Sequence, residues 1–209
     1  MKVSREEMIE NQLIRRGISD PGVLKAMGEV DRELFIPDKM KKFAYEDRPL
    51  NIGKGQTISQ PFIVAYMAQE LKLNREDIIL EIGTGCGYNA AVMANIVKNV
   101  YSIEVIEWLA ENARENLKKA GIKNVTTRFG DGFNGWPEKA PFEGISLTAA
   151  PPSIPLPLKK QLTIGGRLLA PVGRLRQQLK LLERTGDDTF IENRLLMVSF
   201  VPMTGEAQE

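Results

Sequence analysis

Ile78-Ile79-Leu80-Glu81-Ile82-Gly83-Thr84-Gly85-Cys86-Gly87-Tyr88 decides the fold. The aliphatic run through Ile82 reads as a buried strand, and three glycines then punctuate a turn. Residues 88–97 follow as an apolar, helix-like segment. Toward the C-terminus the alternation repeats, with a second strand at 100–104, an amphipathic helix at 107–120 closed by Gly121, and a third strand at 125–129. A fourth strand at 144–148 and a short helix at 157–162 come next. Segments 166–172, 178–184 and 195–201 read as three further strands, the last two as an antiparallel pair. Strand–helix alternation at this spacing predicts an α/β fold, a doubly wound, mostly parallel seven-stranded sheet with helices on both faces.

Upstream, residues 4–16 set Met8, Leu13 and Ile14 among charges, and Asp20-Pro21 reads as a helix start. Residues 31–37 form a connector, 38–45 a short, mostly basic helical piece, and 51–57 a loop around Gly53 and Gly55. A helix is expected over 61–71, with proline tolerated in its first turn. The expected organisation is a single domain over 1–209, with 1–60 as an N-terminal helical segment packed on it.

Composition narrows the chemistry. Lys and Arg number 28 against 27 Asp and Glu, a formal net charge of +1. That balance lacks the basic excess of a dedicated nucleic-acid binder, so no nucleic-acid partner is expected. The chain has no histidine and one cysteine, Cys86. Ser-His-Asp, Cys-His and His- or Cys-based zinc chemistry are therefore excluded, and no metal is expected. Residues 1–16 are charged and lack a signal peptide's apolar centre, and the apolar stretch 62–68 falls far short of the roughly 20 residues of a membrane span. The expectation is a cytoplasmic protein with no membrane partner.

In open α/β sheets, ligands bind beyond the carboxyl ends of the strands, where strand order reverses. The loop 83–87 falls there, although its glycines alone also suit a plain turn. Glu104 closes the second strand, placed to accept from two ribose hydroxyls. The glycines run Gly-x-Gly-x-Gly, and Tyr88 stands where a dinucleotide fingerprint has its third glycine. Glu81 would repel a phosphate but could pair with an ammonium group. Asp131-Gly132 ends the third strand, where an adenine amino group could be met, though Asp-Gly is also an ordinary turn pair. A nucleoside with a cationic amino-acid tail, S-adenosyl-L-methionine, suits this loop better than NAD.

Other segments, in order and spacing, carry a resemblance. They are Gly55-Gln56-Thr57-Ile58-Ser59-Gln60-Pro61, the glycine loop, Val100-Tyr101-Ser102-Ile103-Glu104 and Gly130-Asp131-Gly132. Gly135-Trp136-Pro137, Thr148-Ala149-Ala150, Gly165-Gly166-Arg167-Leu168 and Phe200-Val201-Pro202 continue the series, with Asp31-Arg32 near its start. The set resembles the protein-L-isoaspartate O-methyltransferase family over nearly the whole chain. The resemblance implies methyl transfer from S-adenosyl-L-methionine, leaving S-adenosyl-L-homocysteine, to the free α-carboxylate of isoaspartyl residues in damaged proteins and peptides. It makes Ser59 the catalytic serine and Gln56, Thr57, Ile58 and Ser59 the substrate-binding segment. Glu81, Gly83, Gly85, Glu104, Asp131, Gly132 and Thr204 fall at its cofactor-contacting positions. Cys86 stands where the family usually has serine.

The chemistry suits a chain without imidazole. A carboxylate nucleophile, with a pKa of about 3.5–4, is already ionised at neutral pH and needs no general base. What remains is alignment of the reacting atoms and removal of water. Ser59 can donate one hydrogen bond to the carboxylate, though serine just before a helix is also a common cap. The rival readings are a methyltransferase acting on RNA or a small molecule, a non-catalytic nucleoside-binding module, and an NAD-dependent oxidoreductase. A monomer is expected.

Overall fold

The computed structural model describes residues 2–208. A capping box opens the chain: Ser4 accepts from the Glu7 N–H, and the Glu7 carboxylate from the Ser4 N–H, before helix α1 (Arg5–Glu7). The coil then widens into a π-helical stretch, Met8–Leu13, and tightens into a 3-10 turn, Ile14–Arg16. Asp20 caps α2 (Pro21–Glu29) through the Val23 N–H at 2.9 Å, as its sequence predicts. Further 3-10 turns cover Arg32–Phe35 and Asp38–Phe43.

The first departure from expectation follows. Residues 51–57 are not simply loop, because β1 (Leu50–Gly53) and β2 (Gln56–Ile58) pair as an antiparallel hairpin. Leu50, Ile52 and Ile58 are buried, an alternation that the glycines of the turn conceal. Helix α3 (Pro61–Glu70) then leads to β3 (Ile78–Ile82), α4 (Tyr88–Ala94), β4 (Asn99–Glu104), α5 (Glu107–Lys119) and β5 (Val125–Phe129). After β6 (Phe142–Leu147) come α6 (Leu156–Lys160), β7 (Leu162–Val172), β8 (Gln177–Arg184) and β9 (Phe190–Val198).

These strands form one seven-stranded sheet in the order β5-β4-β3-β6-β7-β8-β9. Pairing is parallel from β5 through β7 and antiparallel at β8 and β9. The chain builds outward from β3 to β4 and β5, then crosses to β6 on the other side. The order therefore reverses at β3, and the glycine loop leaves the sheet at that point. Strand boundaries shift from the sequence reading by one or two residues at the second, fourth and sixth strands and by more at the fifth and seventh, the seventh beginning at Phe190 instead of 195. The seventh strand ends at Val198, because Phe200 turns out to donate its N–H to Gln177 Oε1 at 2.6 Å. The fifth begins earlier, at Leu162, with an irregular register opposite Phe142 and Gly144.

Alternation along β3 sorts side chains onto two faces. Leu80 and Ile82 pack with Ile145, Leu147 and the α6 residue Leu158, while Ile79 packs with Met67 of α3, Met93 of α4 and Val100. The N-terminal elements add a third apolar cluster, centred on Met8, Phe35, Leu50, Phe62 and Tyr88. Phe35 meets Tyr88 edge-on at 5.6 Å, which ties that segment to the start of α4.

One loop has unusual bracing. The buried Gln161 side chain accepts from the Trp136 N–H (2.8 Å) and donates to the Asn134 carbonyl (2.8 Å). Between them, the Gly135 N–H donates to the Gly132 carbonyl at 3.0 Å, and the Asn134 amide reaches Glu206. Among the described residues, no helix is long and apolar enough to cross a membrane.

Candidate active site

At the carboxyl ends of β3, β4 and β6 a cavity opens, walled by the glycine loop, the hairpin strand β2 and the segment 201–204. Gln56, Thr57, Ile58, Ser59, Gly83, Gly85, Glu104, Gly132 and Thr204 all line it, so most of the candidate residues come together. Gly83 takes φ +97°, and a Cβ there would collide with Thr148 Oγ1, which donates to the Gly83 carbonyl. Only glycine lets the loop lie this close to β6.

Glu104 is 5% exposed, and burial raises its pKa above the ordinary value. Its carboxylate accepts from the Gly85 N–H at 2.7 Å and the Ile106 N–H at 3.0 Å, which favours the charged form. These bonds fix the group at the cavity wall and leave each oxygen a further lone pair. The remaining lining is apolar or neutral, including Ile103, Val105, Ile106 and Asn89, and no Lys or Arg belongs to it. A cavity with one carboxylate, a glycine cradle and no cation fits an unphosphorylated nucleoside bearing positive charge. It does not suit a pyrophosphate.

Glu81 and Asp131 do not reach the cavity surface. Glu81 sits on the other face from Leu80 and Ile82, wholly buried, accepting from Ser102 Oγ and from Asn89 Nδ2 (2.8 Å). Burial pushes its pKa up to about 7, against the pull of those two donors. The structure thus gives it no direct path to an ammonium group. It holds Asn89, a cavity-lining residue, by the amide nitrogen. Asp131 accepts from the Phe133 N–H (2.9 Å) and the Glu206 N–H (2.8 Å), and so anchors the segment that carries Thr204 over the site.

Ser59 is not a helix cap. Gln60 occupies the cap position of α3 without a side-chain bond, and the Ser59 hydroxyl makes no hydrogen bond to another described residue. Ser59 also lines a second cavity, formed with Pro49, Gln60, Ile63 and residues 197–201. Thr57, Ser59, Thr148 and Val201 are common to both cavities. Thr148 and Val201 were given no role by sequence reasoning, although Thr148 directly follows a parallel strand, where ligands gather.

Comparison with known proteins fits this geometry. The family model described as "Protein-L-isoaspartate(D-aspartate) O-methyltransferase (PCMT)" matches residues 3–208. The chain belongs to this family. Protein-L-isoaspartate O-methyltransferase of Picosynechococcus sp. is 46% identical over 203 residues, covering 97% of this chain and 91% of that one. Protein-L-isoaspartate O-methyltransferase 2 of Pelobacter propionicus is 51% identical over 203 residues, with coverage of 96% and 90%. Among solved structures, a protein-L-isoaspartate O-methyltransferase superimposes with TM-score 0.89 at 32% identity, covering 98% of this chain and 67% of that one. A family member from Plasmodium falciparum, in complex with S-adenosyl-L-homocysteine, gives 0.81 at 26% identity, with coverage of 96% and 98%. As a member of the protein-L-isoaspartate O-methyltransferase family, the chain is an S-adenosylmethionine-dependent methyltransferase of L-isoaspartyl residues.

Proposed function

We propose that methyl transfer takes place at the wall common to the two cavities, with Ser59 receiving the substrate carboxylate there. The observation that carries this reading is the sharing of Thr57, Ser59, Thr148 and Val201 between the cavity lined by the glycine loop and Glu104 and a second opening. Bound in the first, S-adenosyl-L-methionine supplies an electrophilic methyl on a positive sulfonium.

Glu104, already oriented by Gly85 and Ile106, would hold the ribose hydroxyls. Gly83, Gly85 and Gly132 would let backbone approach the nucleoside, and Thr204 would close over it. Glu81 would act through Asn89, whose side-chain oxygen is left free to accept from an ammonium group. Asp131 would act through the segment it anchors. Gln56, Thr57, Ile58 and Ser59 would line the path of the peptide, which would enter the second cavity past Met197 and Phe200. The Ser59 hydroxyl donates one bond to the carboxylate, orienting an oxygen without protonating it. No proton has to be removed, in keeping with the absence of histidine. Charge cancels as carboxylate meets sulfonium, so the side chains need only align the partners and exclude water.

We take residues 1–209 to work as one unit, a cytoplasmic monomer with neither nucleic acid nor membrane as partner. The balanced charge and the lack of cations in both cavity linings support a peptide substrate over RNA. The test supplies labelled S-adenosylmethionine with two peptides differing only in an isoaspartyl or aspartyl linkage. Base-labile label entering only the isoaspartyl peptide is expected. Label in both, or transfer to RNA instead, would overturn the reading.

A further inference from the structure

Arg32 lies behind the site and lines neither cavity. It is fully buried, at 0% exposure, and yet among the described residues it makes no ion pair with a carboxylate. Its Nε donates to the Ala44 carbonyl at 2.8 Å and its Nη2 to the Ser59 carbonyl at 2.6 Å. The guanidinium also stacks on the ring of Tyr88, 4.7 Å from its centroid, and Nη1 has no hydrogen-bond partner. The groups whose ionised forms could neutralise it are Tyr88, Cys86 and Tyr45. Burial lifts all three, Cys86 to about 11 and Tyr45 to about 12, so none is charged at neutral pH.

A buried cation without an acid is costly, and a core built for stability alone would replace it with apolar volume. Its contacts give the cost a purpose. One side chain joins the 3-10 region at Ala44, the catalytic serine's main chain, and the residue directly after the glycine loop. The substrate meanwhile carries a negative charge into a cavity whose lining has no Lys or Arg. The guanidinium of Arg32, 2.6 Å from the Ser59 carbonyl, places a positive charge behind that residue.

We propose that Arg32 is a positioning residue for methyl transfer: its buried guanidinium fixes the Ser59 main chain relative to the glycine loop and sets a positive potential where the substrate carboxylate docks. This rests on the assignment of Ser59 to that carboxylate. Arg32 lines neither cavity, so the alignment runs through Ser59 and the charge acts through space. Of its two contributions, the hydrogen bonds align the hydroxyl, which bears on kcat. The charge favours the carboxylate before its charge is cancelled, which bears on KM.

The test is a double-mutant cycle on the full chain with an isoaspartyl peptide and saturating S-adenosylmethionine. Arg32→Lys keeps the charge but cannot serve both carbonyls, and kcat should fall about tenfold or more, as misplacement of a reacting group does. Arg32→Met also removes the charge and should add a rise of about fivefold or more in peptide KM. In both, calorimetric affinity for S-adenosylhomocysteine should stay within about threefold, which reports an intact fold. In a Ser59→Ala background, Arg32→Lys should cost less than about threefold, because the group it places is gone. Equal losses in the two backgrounds, or an unimpaired Arg32→Lys enzyme beside a crippled Ser59→Ala, would overturn the role of Arg32 alone. Full turnover in Ser59→Ala would instead overturn the reading beneath it.

If the variants do not fold, nitrogen-labelled arginine spectra of the unaltered protein decide. The Arg32 guanidinium signals should shift on adding isoaspartyl peptide with S-adenosylhomocysteine, and should not shift with aspartyl peptide. Signals unmoved at saturation would refute the proposal.

Discussion

Glu104→Gln tests how the cofactor is held. In the folded protein one Glu104 oxygen accepts from the Gly85 N–H at 2.7 Å and the other from the Ile106 N–H at 3.0 Å. The amide keeps the shape of the side chain but turns one oxygen into a donor. Whichever way it lies, that donor faces a backbone N–H and takes away an acceptor for a ribose hydroxyl. Losing one hydrogen bond to a charged group costs about 1.5–3 kcal/mol. At about 1.4 kcal/mol per tenfold, the Kd for S-adenosylhomocysteine should rise about 10- to 150-fold. Isothermal calorimetry reads this directly, and kcat at saturating cofactor should change by less than about threefold. Burial holds the pKa of Glu104 above its ordinary value, while a ribose diol bonds its ionised form. Cofactor binding should therefore strengthen as pH rises through this titration, and Glu104→Gln should flatten the dependence. A variant binding within about twofold of the parent, with an unchanged melting curve, would show that Glu104 does not hold the ribose.

Ser59→Ala should lower kcat about 10- to 100-fold in the peptide assay while cofactor affinity stays within about twofold. A normal rate would remove Ser59 from the mechanism. Glu81 titrates near 7 when folded and near the ordinary 4.5 when unfolded, so between these values the folded state keeps a proton that the unfolded state has lost. Stability should then fall by on the order of 3 kcal/mol as pH rises from about 4.5 to 7. Glu81→Gln should abolish that slope in guanidinium titrations at pH values spanning this window, and parallel slopes in the two proteins would contradict the assignment. Gly83→Ala forces a side chain into φ +97° and onto Thr148. It should cost about 1–2 kcal/mol in backbone strain alone, lowering Tm by about 2–8 °C. Calorimetry should also show lost cofactor binding, and a Tm and Kd equal to the parent's would argue that the loop has room to spare.

Much of this architecture is legible locally. The apolar run 78–82, the glycines after it and the acid closing the next strand announce sheet, loop and cofactor end, because a buried parallel strand and a tight crossover demand those residue types. The hairpin at 50–58 escapes notice because its glycines speak louder than the alternation of Leu50, Ile52 and Ile58. Glu81 is instructive: period-two reasoning alone turns it away from the face of Leu80 and Ile82 and toward α4. Asp131 and Arg32 are different. Their partners lie 75 and 27 residues away along the chain, and no local pattern reveals which tail or which carbonyl they will meet.

The braced loop at 134–136 bears on the enzyme's own longevity. Asn134-Gly135 is the kind of dipeptide most prone to deamidation, since glycine leaves its nitrogen unhindered for closure onto the preceding side chain. Here that nitrogen's hydrogen is committed to Gly132, and Gln161 grips the backbone on both sides. Ring closure to the succinimide must wait for the loop to open. A repair catalyst thus shields, by geometry, the very bond at which it would become its own substrate.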